Sequence, residues 1–331
     1  MFLDIVCILI GIVLVVWAAD KFTDGAGGLA RRLGVTEIVI GVTIVGFATS
    51  LPEFCISLLA TIEGSQGIAL GNVMGSNIFN VFAVVGIAAV IAPIAVSRSV
   101  LRKDIPWVMG SSLLVAVLML LDNKITRLEG AIMILALVVF MVLTLRHAKS
   151  NATDTTPKPA KKTMSLAGCI VWIVLGLVVL VVGSQVFVKG AADLAERLGV
   201  SDAVIGITVV ACGTSLPELA ATVAAALKKQ PGIALGNIIG SNVMNNLMII
   251  GVTSLVLPFE NVKAAGFNEI DVLVYLLSGA LLWVTARTSH KIGRGEGLLL
   301  FAIFLIYMGW LVWSNTHPDL AATITKLLPL W

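Results

Sequence analysis

The chain has 331 residues, 58% of them hydrophobic and 12% charged, with a formal net charge of +3 and a mean hydropathy of +1.04. Soluble domains carry roughly 25% charged and 45–50% apolar residues, so a soluble domain is excluded and an integral membrane protein remains. At about 20 apolar residues per helical span, the length allows about ten spans.

The first apolar run, Leu3–Ala19, has no basic residue ahead of it and no small-residue cleavage site before Asp20, which favours a span over a removable signal peptide. Further runs predict spans over Ile38–Ile62, Ile68–Ala95, Trp107–Leu121 and Leu128–Leu145. A polar linker containing NATDTTPKPAKK follows, too rich in proline, threonine and lysine for a buried helix. A second set is predicted over Met164–Val188, Ala203–Leu227, Ile233–Leu257, Val272–Ala286 and Gly297–Trp313. The segments are therefore a first five-helix unit (1–146), a linker (147–163), a second five-helix unit (164–314) and a tail (315–331) too interrupted to span. The expected fold class is an all-α integral membrane protein.

The two units share sequence. TSLPE at Thr49–Glu53 returns at Thr214–Glu218, and GNVMGSNIFN at Gly71–Asn80 returns as GNIIGSNVMN at Gly236–Asn245, both offset by 165 positions. Residues 21–80 and 186–245 are identical at 30 of 60 positions, an internal duplication. With the N-terminus outside, 16 of the 22 basic residues fall on the inner side. That bias places both termini outside and the linker in the cytoplasm. Five spans per copy is odd, so the second copy enters the membrane upside down, giving ten helices as two inverted five-helix repeats.

Each copy sets a glutamate beside a proline in an apolar run, a costly combination in a bilayer unless it binds something. Pro52 and Pro217 lack an amide proton and break helices 2 and 7, with Gly46 and Gly213 lowering the cost of unwinding. Thr49 and Glu53, like Thr214 and Glu218, are four apart and share a helix face, as do Ser76 and Asn80, and Ser241 and Asn245. Gly71 with Gly75, and Gly236 with Gly240, allow close backbone approach. The four cysteines lie in apolar runs without a CxxC, and the three histidines lie outside them, so disulfides, zinc and a histidine relay are disfavoured. What remains is an all-oxygen midplane site suited to a hard cation such as calcium, or to sodium in its place.

TSLPE with GNxxGSNxxN, twice, in two five-helix halves around a cytoplasmic linker, resembles the sodium/calcium exchanger family of the cation/calcium antiporter superfamily, in a compact prokaryotic form. The resemblance implies secondary antiport of Ca²⁺ against Na⁺ in a cell (inner) membrane, with no cofactor and no obligate protein partner. Its partners are the two ions and the lipid bilayer, with no nucleic acid. It implies Glu53 and Glu218 as shared carboxylate ligands, Thr49 and Thr214 as calcium or sodium ligands, and Ser76 and Ser241 as outer sodium ligands. Ser50, Ser215, Asn80 and Asn245 complete the candidate set, and the first and sixth helices resemble sliding gates. Some relatives carry aspartate at one of the positions of Asn80 and Asn245; two asparagines here weigh against potassium co-transport.

Other readings are weaker. Kinks and small residues alone are common packing devices, and Asn72, Asn77, Asn237 and Asn242 read mainly as interhelical glue. An intramembrane enzyme would need a nucleophile and base that no span supplies. A channel would more often assemble its pore from identical subunits. Within antiporters the rival is Ca²⁺/H⁺ exchange, because paired glutamates can carry protons.

Overall fold

A computed structural model describes the chain except residues 122, 152–163, 201–204, 206–208, 210, 261–268 and 326–331. The helices are α1 (Phe2–Leu33), α2 (Glu37–Thr49), α3 (Leu51–Ile62), α4 (Gln66–Ile91), α5 (Val100–Leu120) and α6 (Arg127–Arg146). They continue as α7 (Leu166–Arg197), α8 (Leu216–Leu227), α9 (Pro231–Val256), α10 (Ile270–Thr288) and α11 (Arg294–Thr316), then α12 (Pro318–Thr325) in the tail. Among the described residues eight are long and apolar enough to cross a membrane, or nine if α2 and α3 form one bent span. The fold is that of a multi-pass, all-α membrane protein. Among the described residues the one sheet is the two-residue pairing of Ile94–Ala95 with Lys291–Ile292.

Helix ends differ from the apolar runs in ways that local chemistry explains. α1 continues past Ala19 because the stretch 20–33 holds no proline and buries Phe22, Ala26, Leu29 and Ala30 in the core, until Gly34 adopts φ 65° and returns its N–H to the Ala30 carbonyl. α5 starts at Val100 through a π-helical turn, Val100–Asp104, ahead of the apolar run. The predicted break in the second span is present: α2 and α3 meet at Ser50 with a 43° bend, and Pro52 sits in the first turn of α3, where its missing N–H has no partner to lose. Pro217 has the same place in α8. Residues 203–204, 206–208 and 210 of the predicted span 203–227, most of the linker and the end of the tail lie outside the described residues.

Burial sorts the helices into two layers. The apolar window of α9 is 94% buried and that of α4 78%, whereas α11 is 11% and α1, α6 and α7 are 22% buried. The outer helices thus present their apolar faces outward, as lipid contact requires. The helices bearing GNxxGSNxxN form the core. α1 and α7 run antiparallel along their length in contact so close that a Cβ on Gly11 would lie 2.7 Å from the Phe187 Cβ, and one on Gly176 2.8 Å from that of Phe22.

Gly236 and Gly240 behave as predicted, but against α2. A Cβ on Gly46 would meet the Gly240 Cα at 2.9 Å, and one on Gly236 the Gly41 Cα at 2.8 Å. Gly75 departs from the expectation: nothing described lies within 4 Å of a Cβ there.

Candidate cation site

The interruptions bring polar side chains to the middle of an otherwise apolar core. Thr49, Ser50, Glu53, Asn80, Ser215, Glu218, Ser241 and Asn245 have no exposed surface, Ser76 is 2% exposed, and Thr214 is half-buried. The helix breaks are pinned identically in both copies. Asn72 Nδ2 donates to the Glu53 carbonyl at 3.0 Å and to Ser57 Oγ at 2.9 Å. Asn237 Nδ2 donates to the Glu218 carbonyl at 3.3 Å and to Thr222 Oγ1 at 2.9 Å. These asparagines therefore do more than join helices: each holds the backbone of a glutamate.

The site is woven from both repeats. Ser215 Oγ lies 2.9 Å from Glu53 Oε1 and 2.9 Å from Ser76 Oγ, and Ser76 Oγ is 3.5 Å from the same carboxylate oxygen. Asn245 Nδ2 donates to Ser76 Oγ at 3.1 Å. On the other side, Thr49 Oγ1 donates to Asn237 Oδ1 at 2.9 Å and lies 3.2 Å from Ser241 Oγ. Asn80 Nδ2 donates to Asn242 Oδ1 at 3.5 Å.

Among the described residues, six buried oxygens of this set have no hydrogen-bond partner: Ser50 Oγ, Glu53 Oε2, Asn80 Oδ1, both carboxylate oxygens of Glu218, and Asn245 Oδ1. A buried polar group left unpaired costs about 1–3 kcal/mol, and a charged one more. Six acceptors concentrated in one place, with no cationic side chain among them, match the needs of a hard metal ion, which takes carboxylate, amide and hydroxyl oxygens together. The six oxygens lie on five side chains, three neutral and two carboxylates, and among the described residues no three histidine, cysteine, aspartate or glutamate side chains cluster as a metal site. Two further features were not foreseen. Asn80 and Asn245 each open a π-helical turn, Asn80–Val85 and Asn245–Ile249, and such turns commonly mark functional sites. Asn246, Tyr275 and Ser111 also contact the site's framework, without any signal in the repeat.

The two halves are not alike in exposure. Gly236, Asn237 and Gly240 on α9 are buried, whereas their counterparts Gly71 and Asn72 on α4 are half-buried and Gly75 is exposed. Access is therefore wider along the N-terminal half of α4.

Comparison with known proteins follows this geometry. The family profile described as "Sodium/calcium exchanger protein" matches residues 3–146 and 169–313. CaxA of Alkalimonas amylolytica is 37% identical over 93% of this chain and 98% of its own. Inner membrane protein YrbG of Escherichia coli is 33% identical over 95% of this chain and 98% of its own. A solved structure of the sodium-calcium exchanger NCX_Mj, soaked with 2.5 mM Na⁺ and 0.1 mM Ca²⁺, matches with a TM-score of 0.80 at 32% identity, covering 93% of this chain and 98% of that one.

Proposed function

Because the chain belongs to the sodium/calcium exchanger protein family, we propose that it is a secondary antiporter that exchanges Ca²⁺ for Na⁺ by alternating access at the site between α3, α4, α8 and α9. The observation that carries this reading is the set of six unpartnered buried oxygens, which reaches the lower end of calcium's usual 6 to 8 ligands. Glu53 and Glu218 supply two negative charges, which neutralise one Ca²⁺ or two Na⁺ and make the ions compete. Thr49, Thr214, Ser76 and Ser241, with Ser50, Ser215, Asn80 and Asn245, supply neutral oxygens.

Ten spans in two inverted repeats fit the duplication and the odd number of spans per copy, with broken helices 2 and 7 carrying the glutamates. The basic-residue bias supports both termini outside and the linker in the cytoplasm, and likeness to YrbG supports an inner membrane. In that orientation the wider access along α4 faces outside. Ca²⁺/H⁺ exchange through the same glutamates is the second reading, favoured only by the ability of paired carboxylates to carry protons. Calcium flux in proteoliposomes under imposed sodium or proton gradients separates the two.

A further inference from the structure

Asn246 has no exposed surface, and the position 165 residues before it is Val81, so the duplication gives it no counterpart. Its surroundings form a line of hydrogen bonds with a fixed direction. Ser111 Oγ donates to the Val108 carbonyl at 3.2 Å, a group that can only accept. That commits the one hydroxyl proton, so Ser111 accepts from Asn246, whose Nδ2 lies at 2.9 Å and also donates to Ser112 Oγ at 3.1 Å. Asn246 Oδ1 then faces the other way, accepting from Asn77 Nδ2 at 2.6 Å and from Tyr275 Oη at 2.7 Å. Asn77 Oδ1 in turn accepts from Asn245 Nδ2 at 3.0 Å. The end left over is Asn245 Oδ1, one of the unpartnered oxygens of the site.

We propose that Ser111, Asn246 and Asn77 are positioning residues which orient the Asn245 amide so that its oxygen, and not its NH₂, faces the transported cation. The proposal rests on the reading of Asn245 as a cation ligand. Turning any one amide over sets two acceptors or two donors against each other unless all three turn, and turning all three would take the Ser111 proton away from the Val108 carbonyl. The same line selects against aspartate at position 245, because a carboxylate has no proton to offer Asn77 Oδ1.

The test is the calcium dependence of exchange in proteoliposomes. Asn246→Leu is expected to raise the KM for calcium at least tenfold while the maximal rate stays within threefold. Tyr275→Phe leaves the line from Val108 to Asn245 intact and is expected to change KM less than twofold. Where Asn246→Leu does not assemble, Ser111→Ala combined with Ser112→Ala removes both acceptors of the Asn246 amide with little change in volume and is expected to raise KM at least threefold. An unchanged KM in the assembled variant, or a Tyr275→Phe effect as large as that of Asn246→Leu, would overturn the proposal. Asn245→Ala is the control: if it too leaves KM unchanged, the reading of the site itself fails.

A separate observation concerns the rim. Lys228 Nζ lies 2.6 Å from Asp24 Oδ1 and 2.7 Å from Asp20 Oδ1, joining the end of α8 to α1. The repeat maps Asp24 onto Lys189 and Lys228 onto Glu63, the same pair with its charges exchanged. Both of these residues are exposed, and among the described residues they make no ion pair. We infer that the two pairs alternate, with Lys228–Asp24 closing one rim in the state seen here and Glu63–Lys189 closing the opposite rim when the repeats exchange conformations. This rests on the alternating-access reading.

Glu63→Lys and Lys189→Glu are each expected to slow calcium exchange severalfold, and the double variant to restore it to within twofold, although the two side chains do not touch here. Additive losses in the double variant would overturn the latch. Labelling of Gly75→Cys by an impermeant thiol reagent reads alternating access independently. If labelling responds to the ion gradient while the charge exchange shows no coupling, only the latch fails. If labelling never responds, the alternating-access reading fails.

Discussion

Ser215 Oγ, from the second TSLPE, lies 2.9 Å from Glu53 Oε1 of the first. Thr49 of the first motif reciprocates, 3.2 Å from Ser241 Oγ on α9. Glu53 and Thr49 therefore each sit in a setting completed by the other repeat, and neither copy can assemble the site alone. This interleaving explains why the motif is needed twice in one chain.

Glu53→Gln and Glu218→Gln are each expected to abolish calcium transport while the protein remains folded. Each substitution keeps the side-chain volume and one oxygen but removes a formal charge that a divalent cation requires. Flux in liposomes and a size-exclusion profile read the two properties separately, and near wild-type exchange in either variant contradicts the shared site.

The glycines of the core predict a contrast. Gly46→Ala places a Cβ 2.9 Å from the Gly240 Cα, backbone that cannot move aside, and overpacking of this kind typically costs about 1–3 kcal/mol. Gly75→Ala meets nothing described within 4 Å and is expected to be tolerated. Thermal unfolding in detergent should show a clearly lowered midpoint for the first variant and little change for the second.

Much of this arrangement was legible in the sequence because apolar runs and an exact 165-residue offset are strong signals. The offset located the ten candidate ligands, and Pro52 announced the bend between α2 and α3. The π-helical turns at Asn80 and Asn245 were hidden, since one extra residue per turn leaves no compositional trace. The continuation of α1 to Leu33 was hidden too, because residues beyond Ala19 are polar enough to end an apolar run without ending a helix. Gly75 escaped for a different reason: a small-residue pattern states that close packing is possible, and only the exposure of Gly75 against the burial of Gly240 shows that the two positions differ. Asn246 has valine in the other repeat, so nothing in the pattern distinguished it from packing.

Orientation has its own consequence. A cysteine at position 158 should be protected from an impermeant reagent in intact cells, whereas Asn123→Cys should label, as 16 inner against six outer basic residues demand. Labelling at 158 would reverse the orientation.

Exchange should not require potassium. With Asn80 and Asn245 neutral, Glu53 and Glu218 are the only carboxylates of the site, and a further cation would lack a counter-charge. Calcium flux at fixed sodium should be unchanged as potassium rises from zero. Asn245→Asp should disturb calcium binding on two counts, adding a third buried acid and removing the donor that Asn77 Oδ1 now receives at 3.0 Å.

The most direct measurement is ⁴⁵Ca²⁺ uptake into proteoliposomes under one imposed gradient at a time. An outward sodium gradient at clamped pH should drive calcium accumulation, and a proton gradient without sodium should not. Accumulation driven by protons with no response to sodium would contradict sodium/calcium exchange.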